Sequence, residues 1–253
     1  DSKKIAVDEY ITNYIALGLE RKNCEIYFQS ERSNNAKKAN AYYRLQNLLA
    51  HYVTLNEFKS IYGDISPGKM ISSLLQASDM LHPQLPEFEN YCPVIVPVGI
   101  DQDPHLRFTR DIANRIKSFT FIQLSSTYHQ MLPGLKGPNS KMSSSDPSSF
   151  IALSDDSNTV KNKINKYAFS GGQSTLEEHR KKGGNPDNDV CFQYLRMLLE
   201  EDDNKLLEIY NSYKKGILTS GDLKKYTIDK INTLLVKNQN SREKAKKIFS
   251  EFM

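Results

Sequence analysis

Cys92-Pro93-Val94-Ile95-Val96-Pro97-Val98-Gly99-Ile100-Asp101-Gln102-Asp103-Pro104 is the stretch whose reading decides the fold. Cys92 to Val98 is a continuous apolar run of strand length, the kind that a parallel sheet buries on both faces. Asp103-Pro104 then offers an N-cap and a proline for the first helical position. Phe108, Ile112, Ile116 and Phe119 continue as an apolar stripe, and a second β run spans Phe119 to Leu124. Strand, helix and strand in succession predict an α/β sheet with a right-handed crossover. Ligands of such sheets sit at the carboxyl ends of the strands, so Asp101 and Gln102 occupy a ligand position beside a helix amino terminus. They read equally well as ligand contacts and as helix-capping groups.

Upstream, Ile5, Tyr10, Ile11, Tyr14, Ile15 and Leu17 follow a helical pattern that begins at once, at Asp1 rather than Met, and the chain reads as a piece of something longer. Cys24 to Phe28 is a short β-like run, and the polar stretch Ser30 to Asn40 reads as a mobile loop. Ser66-Pro67 starts a helix whose apolar face is Met70, Ile71, Leu74 and Leu75, with Gln76 pointing away from it as a solvated residue. From Ser157 onward helical stripes take over: Val190, Tyr194, Leu195 and Leu198, then Leu206, Leu207, Ile209 and Tyr210. The last third is expected to be all helical, with Leu234, Leu235, Ile248 and Phe249 packing the final helices onto it. Two domains follow, residues 1–156 and 157–253.

The 253 residues are 38% hydrophobic and 25% charged, so a packed core is within reach and a disordered or low-complexity chain is excluded. There is no apolar run of membrane-spanning length and no charged-then-apolar amino-terminal stretch. A soluble, cytoplasmic protein without membrane contact is the expectation. Cys24, Cys92 and Cys191 form no Cys-x-x-Cys pair, which points to no disulfide framework. His51, His82, His105, His129 and His179 have no partner at ligand spacing; they read as solvated or capping groups, His179 as a support of the Gly183-Gly184-Asn185 turn, and no protein-bound metal is expected. The net charge of +4 is uneven, at −1 over residues 1–157 and +5 over 158–253. A basic carboxyl-terminal lobe suits a polyanion.

The strongest local signal is Pro138-Asn139-Ser140-Lys141-Met142-Ser143-Ser144-Ser145-Asp146-Pro147, preceded by Gly134 and Gly137. Backbone N–H groups, hydroxyls and a lysine together suit a polyphosphate, although composition alone favours a flexible surface loop. Lys141 to Ser145 resembles the second signature of class I aminoacyl-tRNA synthetases, and Val98-Gly99-Ile100-Asp101-Gln102 resembles the Gly-x-Asp-Gln element of their tyrosyl and tryptophanyl branch. Ala168-Phe169-Ser170-Gly171-Gly172, Glu177-Glu178-His179-Arg180 and Gly183-Gly184-Asn185 look like the helical anticodon-binding lobe of the eukaryotic-type tryptophanyl-tRNA synthetases. The match runs from about Thr12 to Met253.

The resemblance implies the carboxyl-terminal half of a Rossmann-like catalytic domain (residues 1–156, ending in the Lys141 loop) followed by an all-α anticodon-binding domain (157–253). It implies that tryptophan and ATP, the latter with Mg2+, give tryptophanyl adenylate, from which tRNA(Trp) is charged, and that the enzyme is a homodimer. Lys141 would then stabilise charge on the phosphates, with Met142, Ser143, Ser144, Ser145 and Asp101 also on ATP, and Gln76 and Gln102 on the amino acid. The second lysine of the broader motif is Ser144 here, leaving Lys141 as the loop's only cation. Relatives carry Arg-Asp where Gln173 and Ser174 stand; with Lys181 and Lys182 these are the candidate tRNA contacts, and the pairs Lys214-Lys215, Lys224-Lys225 and Lys246-Lys247 read as solvated faces or phosphate contacts. A tyrosyl relative and a non-catalytic module holding RNA or a partner remain as alternatives. No His-x-Gly-His signature occurs, so these 253 residues alone are not expected to form the adenylate; tryptophan-dependent pyrophosphate exchange by the purified polypeptide would refute this.

Overall fold

The computed structural model describes residues 2–22, 24–28, 31 and 34–252. They pack as two units, Asp1–Ile26 with Leu132–Met253, and Tyr27–Met131. In chain order the helices are α1 (Ser2–Ile5) and α2 (Thr12–Ala16), joined by the π turn Ala6–Ile11, then α3 (Ala36–Ala50), α4 (Leu55–Tyr62), α5 (Pro67–Leu81) and α6 (Asp103–Arg115). After them come α7 (Ser157–Tyr167), α8 (Leu176–Lys182), α9 (Val190–Tyr194), α10 (Asp203–Lys214) and α11 (Ser220–Ile248). The strands among the described residues are β1 (Ile95–Gly99) and β2 (Ser125–His129).

In the unit Tyr27–Met131 the two strands pair in parallel, Ile95 opposite Ser125 and Gly99 opposite His129, with α6 as the crossover. The α/β expectation holds, with different edges. Ile95 is 65% exposed, so β1 is not buried on both faces: Val94, Val96 and Val98 pack on the core formed by Leu45, Leu74, Leu81, Leu106 and Ile112, and Ile95 and Pro97 take the other face. The second strand begins after Leu124, because the preceding segment pairs with a side chain instead of a strand. Fully buried Gln84 accepts the Ile122 N–H at Oε1 (2.7 Å) and donates from Nε2 to the Ile122 carbonyl (3.0 Å). Arg110 then ties α6 to β2, donating to Leu124 O and Ser126 Oγ, each at 2.9 Å.

Two helix starts differ from expectation. Asp103 is the first residue of α6 and not its cap, since its carboxylate is taken by Arg107 (2.6 Å) and by the Tyr128 hydroxyl (2.5 Å). Helix α3 begins at Ala36, inside the stretch expected to be a mobile loop, because Asn35 caps it by accepting the Lys38 N–H (3.1 Å); Ser30, Arg32 and Ser33 of that stretch lie outside the described residues. Ser66 and Pro67 do open α5 as cap and first residue. Its buried face is Ser73, Leu74, Ala77, Ser78, Met80 and Leu81, and Ile71 is exposed. Cys24 to Phe28 is irregular and not a strand.

In the other unit α11 runs through the core, against α2, α7 and α9. Val160, Ile164, Val190, Leu195, Tyr213 and Leu223 are fully buried there, as the helical stripes predict. Leu198 is exposed because α9 passes into a π turn at Leu195–Leu199, where the Glu200 N–H reaches back five residues to Leu195 O (2.9 Å) and widens the spiral. Phe252, not Ile248, is the buried residue of the final turn, and Ile26 N–H donates to its carbonyl. Leu132, Leu135, Met142, Ile151 and Leu153 also pack into this helical core. Leu132 onward thus packs in this unit together with Asp1–Ile26.

Gln84→Leu removes both partners of a buried peptide, and urea unfolding is expected to show a loss of about 2 to 3 kcal/mol. Hydrogen bonds from Tyr226 and Lys230 hold the Glu200 carboxyl at about 2, below the ordinary 4.5. A depressed carboxylate contributes stability above the unfolded value and loses it as pH falls from about 4.5 toward about 2. Thermal melts across that window are expected to show a shallower decline for Glu200→Gln than for the unchanged chain.

Candidate functional site

Strand β1 ends at Gly99, and the 3-10 turn Ile100–Gln102 carries Asp101 and Gln102 at its carboxyl end. Gln76, on α5, donates from Nε2 to Gln102 Oε1 (3.1 Å), and Gln102 donates from Nε2 to Asp101 Oδ2 (3.0 Å). Three residues singled out from the sequence thus form one hydrogen-bonded chain, and Gln76 is half-buried in it instead of solvated. An ionised carboxylate only accepts, so Asp101 fixes the direction of both amides. The acceptor left over is Gln76 Oε1, which suits a cationic group. A Cβ at Gly99 would lie 2.6 Å from Asp101 Oδ1; glycine there lets the carboxylate fold back over the strand end.

Tyr62 escapes sequence reading, and His105, read there as a solvated or capping group, is half-buried. The His105 ring lies edge-on to Tyr62 (centroids 5.6 Å apart), its Nδ1 is buried without a protein partner, and burial pushes its pKa below the usual imidazole range against the opposing pull of Asp101. Burial thus favours the neutral form of His105. A Pro-His pair opening a helix is the one sequence signal that points to it.

The Lys141 loop belongs to the unit Asp1–Ile26 with Leu132–Met253. Lys141, Ser144 and Ser145 are exposed, Met142 sits against the helical core, and Ser143 is half-buried. The loop is closed by Ser149, a buried hydroxyl that accepts the Ser143 N–H (2.9 Å) and donates to the Asp146 carbonyl (2.7 Å). Ser143 and Ser145 share a hydroxyl hydrogen bond (2.8 Å). Upstream of that signature, Lys136 Nζ lies 2.6 Å from Asp146 Oδ2. That contact and the Ser148 hydroxyl hold the Asp146 carboxyl down at about 2. Asp146-Pro147-Ser148 is the readable trace of this arrangement, an aspartate accepting the N–H two residues on.

In the helical lobe Gln173 donates from Nε2 to Gly183 O (2.9 Å), Ser174 and Lys181 are exposed, and Lys182 pairs with Glu178 (3.2 Å). His179 is buried, not solvated: it donates from Nε2 to Leu218 O (2.9 Å), lies 5.1 Å from the Tyr213 ring, and its carbonyl receives the Gly183 N–H (2.8 Å). It supports the glycine turn as expected. Gly183 has φ +74°, and a Cβ there would fall 1.8 Å from Lys214 O, so only glycine fits. His82 is buried too, 4.7 Å from the Phe88 ring. Buried Asp189 holds the lobe together, accepting from the N–H groups of Gly171 (2.8 Å), Cys191 (3.0 Å) and Phe192 (3.3 Å) and from the hydroxyls of Tyr213 (2.8 Å) and Ser170 (3.2 Å). Burial and this carboxylate push the Tyr213 phenol up. Among the described residues no cluster of His, Cys, Asp and Glu is placed to hold a metal ion, and no helix is long and apolar enough to cross a membrane.

The family model described as tRNA synthetases class I (W and Y) matches residues 1–236. A tryptophan–tRNA ligase of Aeropyrum pernix is 44% identical over 251 residues, covering 98% of this chain and 64% of that protein. The tryptophan–tRNA ligase of Methanocaldococcus jannaschii is 44% identical over 255 residues, with 98% and 65% covered. The solved tryptophanyl-tRNA synthetase of Aeropyrum pernix superposes with a TM-score of 0.90 at 42% identity, covering 99% of this chain and 66% of that one. The chain thus spans just under two thirds of the length of the curated relatives it matches.

Asp189→Ala strands several buried donors at once. Chemical denaturation is expected to show a loss of about 3 kcal/mol or more, against less for Asp189→Asn, which keeps one acceptor oxygen.

Proposed function

The chain belongs to the tRNA synthetases class I (W and Y), and from that premise we propose that it serves the ATP-dependent activation of tryptophan and its transfer to tRNA(Trp). The observation that carries the reading is the chain from Gln76 through Gln102 to Asp101. Its direction leaves an acceptor at Gln76 for the ammonium of an amino acid, and it stands at a strand end where α/β sheets take their ligands.

A carboxylate oxygen of tryptophan attacks the α-phosphorus of ATP, the bond to the β-phosphate bridging oxygen breaks, and pyrophosphate leaves. Little covalent help is needed; positioning and charge stabilisation carry the step. Gln76 and Gln102 hold the polar end of the amino acid, and Asp101 accepts from the nucleotide ribose while orienting Gln102. Exposed Lys141 places its ammonium on the phosphates, where charge develops, and Met142, Ser143, Ser144 and Ser145 supply the backbone and hydroxyls of the closing loop. Magnesium accompanies ATP as part of the substrate and neutralises charge on its phosphates. Residues 1–156 serve this catalysis and 157–253 bind the tRNA, through Gln173, Ser174, Lys181 and Lys182. Gln173 spends its NH2 on Gly183 and keeps Oε1 as an acceptor for a base N–H. We assign the activity to a homodimer acting in the cytoplasm, where translation takes place.

Two measurements test the reading. Thermal-shift titration is expected to show stabilisation by tryptophan and none by tyrosine; the reverse would make the chain a tyrosyl relative. In whichever form of the protein pyrophosphate exchange is measurable, Lys141→Ala is expected to lower its rate constant about 100-fold while Kd for tryptophan stays within about twofold. Equal loss of both sinks the role given to Lys141.

A further inference from the structure

Lys136 lies five residues before Lys141 in a turn whose backbone is closed on itself. Gly134 N–H donates to Ser140 O (2.8 Å) and Ser140 N–H to Gly137 O (3.0 Å), and the single Ser140 hydroxyl proton has Gly134 O (2.9 Å) and Gly137 O (2.8 Å) within reach. A Cβ at Gly134 would already crowd Lys141 O at 3.0 Å, so the Lys136 turn lies directly beside the backbone of Lys141. Leu135, fully buried, pins it: its N–H donates to Ser149 O (2.8 Å) and its carbonyl accepts from Phe169 N–H (2.8 Å). Lys136 therefore starts from a fixed point.

Its ammonium is fixed as well. Asp146 Oδ1 is taken by the Ser148 N–H (3.1 Å) and hydroxyl (2.5 Å), and Oδ2 by Lys136 Nζ (2.6 Å). The carboxylate is thereby fully engaged and stays ionised far below neutral pH. An ammonium has three donors. One goes to Asp146, and with the side chain half exposed the others face solvent on the loop that carries Lys141. An uncompensated carboxylate at that place would repel a polyphosphate; the Lys136 pair removes the repulsion and leaves donors over.

We propose that Lys136 is a second phosphate-binding cation of this loop, held in position by Asp146 and acting with Lys141 on the β- and γ-phosphates of ATP and on pyrophosphate. The proposal deepens the ATP-dependent reading above and rests on it for the identity of the polyphosphate.

The test is calorimetric titration of the chain with inorganic pyrophosphate and, separately, with ATP–Mg2+ and adenosine. Lys136→Met is expected to weaken pyrophosphate and ATP about tenfold, the size of one charge-assisted contact, and to leave adenosine unchanged. Lys136→Arg should restore most of the loss, and Lys161→Ala, an exposed lysine on α7, should show none. Asp146→Asn keeps the ammonium and an amide oxygen that can still accept from it, and is expected to retain pyrophosphate binding. Lys136→Met binding pyrophosphate like the unchanged chain, or Asp146→Asn losing as much as Lys136→Met, overturns the proposal, the second outcome reducing Lys136 to a structural tie. A chain that binds pyrophosphate but not ATP, with Lys136→Met defective, supports the inference and overturns the ATP-dependent reading. A chain that binds neither overturns both.

Discussion

Parallel strands cannot be joined by a tight turn, and this constraint organises the unit Tyr27–Met131. β1 and β2 run the same way, so the chain must leave β1 at Gly99, cross as α6 and return. The exit from the first strand and the entrance to the helix then coincide in space, with three residues, Ile100 to Gln102, to cover both. Polar side chains in that short turn have little choice of position. Asp101 folds back over the strand, Gln102 reaches sideways, and α5 brings Gln76 to meet it.

A second principle recurs in both units: one buried side chain does the work that a neighbouring backbone would otherwise do. Gln84 pairs both sides of the Ile122 peptide as a strand partner would. Asp189 caps α9 and at the same time gathers Gly171, Ser170 and Tyr213. Ser149 closes the Lys141 loop with one hydroxyl. Each spares buried N–H and C=O groups the cost of going unpaired. Each is a polar residue in an apolar setting, which hydrophobic patterning alone does not mark.

That difference decides what can be read from the sequence. Helices α5 and α6, the helical character after Ser157 and the place of Asp101 and Gln102 follow from local order, because caps, prolines and apolar spacing act within a few residues. The partner of Gln76 lies 26 residues away, and no local rule says which side of α5 it occupies. The burial of β1 is overestimated for a related reason: an apolar run states what a segment tolerates, and Ile95 shows that it does not state how many neighbours it has. Asp103 reads as a cap until Arg107 and Tyr128 claim it. The support that His179 gives the glycine turn is legible from the sequence, whereas its burial depends on Tyr213 and Leu218, which only the fold assembles.

Met142 differs from its neighbours. Lys141 and Ser144 are exposed, while the methionine between them is half-buried against the helical core that includes Val160, Leu195 and Leu235. A loop tethered in this way has two kinds of movement. The Lys141 side chain is exposed, whereas a displacement of the backbone that lifts Met142 off the core would expose its apolar surface, at a cost of about 1 kcal/mol. The flexible thioether fits a seat that must be left and re-entered. The position of the loop backbone is thus coupled to the packing of the helices beneath it.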